Sequence, residues 1–447
     1  MTSSILRTLV WSELTDMDKV SLVDRDLDKS IPTALRDHIC ALIEDVRSRG
    51  DAAVCDALRT FDRIDVSPAD LRVGDAEWEA AADKVEPRVL EAITDMVAHI
   101  KRFNVELLKQ LKNWEFESEP GLRIGERVTP ISSAGLFCPS GKASYPSVLA
   151  QLGGPAIVAG VPQVAVVVPP KPGGAGEVDP AVLMVARELG LREVFRVNGP
   201  AGIAALACGT ETIPRVVKIM GPGSLPVTVA QLEVQRYGTA VHLALGPTES
   251  VVIADDTADP DVLALDLMTE AEHGTDSCTL FITASRDLAR ATEERLRIHV
   301  AGLPSERAEA VRSSLGVNGG CVLVSDLDEA ADVANRFAPE HLQLVVDESV
   351  EQRTLDKLVH AGEILLGQST PFAAANFLIG CPASLPTNGF ARVNGGVTVD
   401  SFVKRTAVAR ASRSALERLS PSIVALADAE GFSAHGNALR DRNKASS

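Results

Sequence analysis

Residues 142–171, KASYPSVLAQLGGPAIVAGVPQVAVVVPPK, hold no charged side chain between the two terminal lysines. That length could cross a bilayer as one helix. However, Pro146, the Gly153-Gly154-Pro155 triplet, Gly160, Pro162 and the Pro169-Pro170 pair interrupt it, and a helix does not run through so many breakers. The run reads instead as a buried helix, a turn and a buried strand over 163–168. A strand as apolar as QVAVVV is expected where both its faces are covered, the setting of a parallel strand in an α/β protein.

The same pattern continues on both sides. Short apolar segments at 135–138, 164–168, 194–197 and 216–220 alternate with helical periodicity and Gly/Pro-rich turns, and a second set follows at 251–253, 280–282, 322–324, 344–346 and 364–366. Two α/β units with open, doubly wound parallel sheets are expected. Before them, residues from about 30 to 112 are charged and helically periodic, which predicts a helical N-terminal layer. From about 387 the chain turns basic (Lys404, Arg405, Arg410, Arg413) and is read as a helical arm ending in helices over 421–430 and about 434–440. The expected division is 1–120, 121–245, 246–386 and 387–447.

A chain of 447 residues exceeds what one core supports. Its 45% hydrophobic, 23% charged composition is that of a globular protein, and 4% aromatic content points to aliphatic cores. The net charge of −17 argues against nucleic-acid and anionic-membrane partners. Seven scattered cysteines without a C-x-x-C pair read as reduced thiols. The opening MTSSILRTLVWSEL lacks the apolar run of a secretory signal, so a cytoplasmic location is expected.

The chemistry is concentrated in residues 259–277, DPDVLALDLMTEAEHGTDS. Asp259 suits an N-cap, Pro260 the first helical position and Gly274 the C′ position, with Val262, Leu263, Leu265, Leu267 and Met268 as buried surface. Glu270 and His273 then share one face of the last turn, near enough to reach one cation. The same residues equally suit a solvated acidic helix end. Glu340-His341, after Pro339, is placed on a loop at a strand's edge and could serve as a general base with an acid beside it, or be an ordinary exposed turn. His435, after Glu430 and Gly431, opens a terminal helix and is otherwise a plain surface histidine. No G-x-G-x-x-G follows a strand, and 135–142 has the wrong glycine spacing for a P-loop. The turns at 198–202 and 221–224 do follow strands, where such sheets bind ligands, though either could be simple punctuation.

Taken in order, GPG (221–223), GPTES (246–250), EAEHGTDS (270–277), PEHL (339–342), the Gly380-x4-Leu385-Pro386-Thr387 segment and AEGFSAH (429–435) resemble histidinol dehydrogenase from about residue 30 to 440. The resemblance implies two incomplete Rossmann-like domains, a homodimer that exchanges its C-terminal arm, one zinc and NAD, and oxidation of an alcohol through an aldehyde to a carboxylate. It implies Glu340 and His341 as the catalytic pair, Thr248 and Glu430 as substrate contacts, and Glu270, His273, Asn376 and His435 as metal ligands that also face substrate, with His435 donated by the neighbouring subunit. It places Phe137, Ala201 and Ser224 at cofactor positions. The chain departs from the family pattern there, with Phe137 for tyrosine, Ala201 for glutamine and Ser224 for asparagine. Pro382-Ala383 replaces an Asn-His pair, and the family's glutamine and aspartate ligands become Glu270 and Asn376. That last exchange keeps one anion and one neutral oxygen in the ligand set. The implied function is therefore an NAD-dependent, zinc-requiring alcohol dehydrogenase whose best substrate is an amino alcohol or polyol other than histidinol. The altered cofactor positions also suit a non-redox or lapsed metal-binding homologue.

Overall fold

The computed structural model describes residues 4–23, 31–140, 144–171, 176–242 and 246–444. Gly141 and Lys142, part of the P-loop lookalike, lie outside them. The uncharged stretch between Lys142 and Lys171 contains a helix, Pro146–Ala159, followed by the strand Gln163–Val168, and no helix among the described residues is long and apolar enough to cross a membrane.

Gln163–Val168 lies inside a five-stranded parallel sheet ordered Val194–Arg196, Gln163–Val168, Ser133–Phe137, Lys218–Met220, Ala240–Val241. Numbered along the chain this is 3-2-1-4-5, the first five places of the doubly wound order. Alternate residues feed two cores. Leu136, Val164, Val166 and Val168 face one, and Phe137, Ala165, Val167 and Phe195 the other, which is why the sequence shows continuous apolar runs rather than alternation.

A second parallel sheet repeats the order with Gly320–Leu323, Cys278–Thr283, Glu249–Ala254, His341–Val345 and Glu363–Leu366. It too has a core on each face. All nine expected strand segments fall on or against strands of these two sheets. The expectation of an α/β chain built on parallel sheets therefore holds.

Several expectations need correction. The N-terminal region is not purely helical, because Thr8–Val10 adds a parallel edge strand to the second sheet beside Gly320–Leu323. The basic segment read as helical is the strand Val403–Ala411, paired antiparallel with Leu122–Pro130, which in turn pairs with Trp114–Glu119. The helix expected over 421–430 runs instead from Arg413 to Ala429 with Pro421 inside it, and the last helix is Ser433–Lys444. All seven cysteines are free thiols.

The helix that carries the first candidate ligand is Pro260–Ala271, with the Asp259 side chain accepting from the Asp261 N–H. Its C-cap is Glu272, not a left-handed Gly274, so His273 sits on the turn just past the helix. Leu265 is exposed at 47% and is not part of the core.

Candidate active site

The carboxyl ends of the first sheet face the amino ends of the second across a cleft of about 430 Å³. Pro139, Tyr145 and Pro222 come from the first unit; Thr248, His273, Glu340, His341 and Asn376 come from the second. On the first side the chain turns tightly after Met220. A Cβ on Gly221, whose φ is +133°, would lie 2.0 Å from the Phe137 carbonyl oxygen, so only glycine fits the GPG turn there.

His341 is not on an exposed loop. The helix Leu327–Phe337 ends at Ala338 in a left-handed conformation (φ 53°), Pro339 follows, and His341 opens a central strand, aligned with Ser250 on one side and Glu363 on the other. That parallel register sets the Glu363 carboxylate 2.5 Å from His341 Nδ1, while the Phe372 ring packs edge-on against the imidazole. The contact fixes the ring and leaves Nε2 facing Glu340 Oε1 at 3.7 Å and Glu270 Oε2 at 3.9 Å.

Glu270 is fully buried. Asn376 Nδ2, on the short helix Phe372–Phe377, donates to its Oε1 at 2.7 Å, and His273 Nδ1 lies 3.1 Å from its Oε2. One turn earlier on the same helix, Asp266 accepts from Gln343 Nε2 at 2.9 Å, which ties the helix to the strand that bears His341. Thr248 Oγ1 is 3.2 Å from His273 Nδ1, and the Glu249 N–H donates to Glu340 Oε2 at 3.3 Å.

Burial and charge set the protonation states. Burial alone would push the Glu270 carboxyl up, but the His341 charge and the contacts with His273 and Asn376 outweigh it and hold the group at about 2. Glu340 goes the other way, raised by burial to about 8, with His341 opposing and Glu270 and Glu249 adding to the rise. For His341, burial disfavours the cation, yet Glu270, Glu340 and Glu363 together raise it to about 10. Two adjacent carboxyls pushed apart in this way are suited to different roles.

The remaining candidates lie elsewhere. His435 is exposed on Ser433–Lys444 with the Phe432 ring as its neighbour, and Glu430 is exposed at the end of the preceding helix. Neither lines the cleft of its own chain. Phe137 and Ala201 are buried at carboxyl ends of the first sheet. Ser224 precedes the helix Leu225–Val234, whose N-terminus receives no side-chain cap; Gly199–Cys208, which holds Ala201, is likewise uncapped. The uncapped start of Leu225–Val234, after the strand Lys218–Met220 where the strand order reverses, suits a dinucleotide's phosphates, whereas Gly199–Cys208 starts at the sheet's edge strand.

The residues also fit a metal. Glu270 Oε2 is buried and has no hydrogen-bond donor, although an imidazole nitrogen stands beside it; an orphaned buried carboxylate oxygen in such company suits a cation. Among the described residues no three His, Cys, Asp or Glu side chains could hold an ion together, so a full shell needs the Asn376 amide and a ligand from outside the chain.

The model for histidinol dehydrogenase matches residues 27–443. The chain belongs to the histidinol dehydrogenase family. It is 40% identical to a protein named "Histidinol dehydrogenase homolog 2" from Mesorhizobium japonicum, over 90% of this chain and 91% of that one. It is 39% identical to a histidinol dehydrogenase from Gloeobacter violaceus, over 90% and 88%. The crystal structure of histidinol dehydrogenase from Elizabethkingia anophelis superposes with a TM-score of 0.92 at 29% identity, covering 100% of this chain and 99% of that one. The family consists of NAD-dependent oxidoreductases that act on CH–OH groups, and this chain is an enzyme of that kind.

Glu363 was missed in the sequence because nothing local marks it. It is one glutamate in AGEILL, and only the pairing of two strands brings it to His341. Arg307 and Gln151, which line the cleft from opposite units, were missed for the same reason.

Proposed function

We propose that the protein is a cytoplasmic homodimer that oxidises a small alcohol through an aldehyde to a carboxylate with NAD and one zinc per subunit. The observation that carries this reading is the orphaned Glu270 oxygen beside His273, with Asn376 and His341 completing the same corner of the cleft. Glu270, His273 and Asn376 would hold the ion, with His435 arriving from the partner subunit; Thr248 and the partner's Glu430 would touch substrate, and Phe137, Ala201 and Ser224 would border NAD. When bound, zinc would polarise the substrate hydroxyl and NAD would accept hydride.

The chain's own residues do the rest. Glu363 holds Nδ1–H of His341, so Nε2 is the atom that receives the hydroxyl proton. Ligation of Glu270 would remove one of the carboxylates that hold the proton on His341, easing its turnover between acid and base. Glu340, neutral near pH 7 and ionised above about 8, would take a proton from water attacking the aldehyde. Pro382-Ala383 in place of a polar pair leaves a more apolar wall beside Phe377, which suits an alcohol other than histidinol.

The test is absorbance of NADH at 340 nm with a panel of amino alcohols, diols and histidinol, before and after zinc is stripped with chelator. Zinc-dependent NADH formation is the expected result, with histidinol not the best substrate. Metal binding without any NADH formation would favour a non-redox homologue.

A further inference from the structure

Two hydrogen-bond donors in the cleft have no part in the chemistry described so far. Arg307, in the first turn of Ser305–Ser313, lines the cleft beside His273, and its Nη1 donates to the Glu272 carbonyl at 2.8 Å. Among the described residues no carboxylate pairs with it.

On the opposite wall Gln151, from Pro146–Ala159, is only 3% exposed. Its Oε1 accepts from the Ala383 N–H at 3.3 Å, which leaves the amide Nε2 buried with no acceptor. An unsatisfied buried donor is costly, so an acceptor is expected to come from outside the chain. A guanidinium is donor-only, and the buried Gln151 amide nitrogen has no acceptor, so each wall offers hydrogens to a ligand.

We propose that the cleft takes alcohols whose far end is an oxyanion, with Arg307 pairing to it and Gln151 supplying a further hydrogen bond. This rests on the dehydrogenase reading for the hydroxyl end and names the substrate class. The other ionisable groups of the cleft are Glu272, His273, Glu340 and His341. An ammonium end would meet the Arg307 and His341 cations, with the half-buried Glu272 carboxylate the anion nearest to Arg307 in sequence that lines the cleft. Glu272, and the partner's Glu430 if it reaches the cleft with His435, would favour one, so a preference for an amine is the result that counts most heavily against the proposal.

The zinc-loaded enzyme is assayed with 3,4-dihydroxybutyrate, its amide, and 4-aminobutane-1,2-diol, which share one diol and differ at the far end. The carboxylate should have the highest kcat/KM. Arg307→Ala should lower that value roughly tenfold to a hundredfold, the usual cost of a charge-assisted hydrogen bond, and lower the amide's value much less, since a neutral carbonyl accepts a weaker bond. Arg307→Lys should fall between, since it keeps the charge without the planar fork. Equal use of all three compounds by wild type, preference for the amine, or an equal loss on all three in Arg307→Ala overturns the proposal. If no compound reduces NAD, the dehydrogenase reading fails and calorimetry decides the anion site separately. Binding of 3,4-dihydroxybutyrate that is lost in Arg307→Ala sustains the site; no binding, or binding unchanged by the substitution, refutes it.

Discussion

Exchanging two neighbouring side chains, Glu270→Gln together with Asn376→Asp, tests the metal corner more sharply than removing either. In the native pair the Asn376 amide donates to the Glu270 carboxylate at 2.7 Å; after the exchange the introduced glutamine donates to the introduced aspartate, and the pair keeps one charge. The single changes do not. Glu270→Gln discards a carboxyl held at about 2 instead of the ordinary 4.5. A depressed acid stabilises the fold above its unfolded value and loses that contribution as pH falls through the folded one, so at pH 7 it is fully present, worth about 3 kcal/mol. Asn376→Asp instead sets two carboxylates side by side; at the present 2.7 Å separation and an effective dielectric of about 20 their repulsion is about 6 kcal/mol, relieved only by a proton or a cation.

The metal-free proteins should therefore rank with wild type and the double variant most stable, Glu270→Gln lower and Asn376→Asp lowest. Added zinc should raise the melting temperature most in Asn376→Asp. Zinc affinity should fall at least about a hundredfold in Glu270→Gln, since even outer-shell losses cost 10–100-fold, and should largely return in the double variant. Thermal melts with and without EDTA, and zinc titration against a chromophoric chelator, measure both quantities. If the double variant is no better than the sum of the singles, or if Glu270→Gln binds zinc as wild type does, the assignment of these two residues is wrong.

Aldehyde oxidation should rise as pH passes about 8, where Glu340 ionises, and Glu340→Gln should abolish that rise and slow the aldehyde step about 10²–10⁴-fold while affecting the first hydride transfer less; stopped-flow assays of the two half-reactions separate them. His341→Ala should slow both steps. Glu363→Ala should lower kcat by roughly 10²-fold with little change in KM, and because Glu363 helps hold the His341 proton, the pH profile should move down; imidazole ¹⁵N shifts would show the ring losing its fixed tautomer, and an unchanged profile would reduce Glu363 to packing. Mixed and co-refolded His273→Ala and His435→Ala chains should recover activity, since one site of the heterodimer keeps both histidines; inactive verified heterodimers would place His435 outside the partner's site.

The sequence by itself determined the elements whose signals are local. Runs such as QVAVVV and VVIA could only be strands covered on both faces, Asp259-Pro260 fixed a helix start, and the 270/273 spacing set two ligands side by side even though the helix stops at Ala271. Tertiary structure decided whatever depended on distant partners. VKRTAVARA carries charges enough for a solvated helix, and only its pairing with Leu122–Pro130 makes it a strand. Thr8–Val10 is too short to be recognised until the edge at Gly320–Leu323 receives it. His341 looked like a turn residue because Pro339 precedes it, but strands on both sides bury it and deliver Glu363 to its ring. Burial and pairing between residues 22 apart, as His341 and Glu363, or 106 apart, as Glu270 and Asn376, set those side chains' protonation and reach, beyond what the period of one helix or strand records.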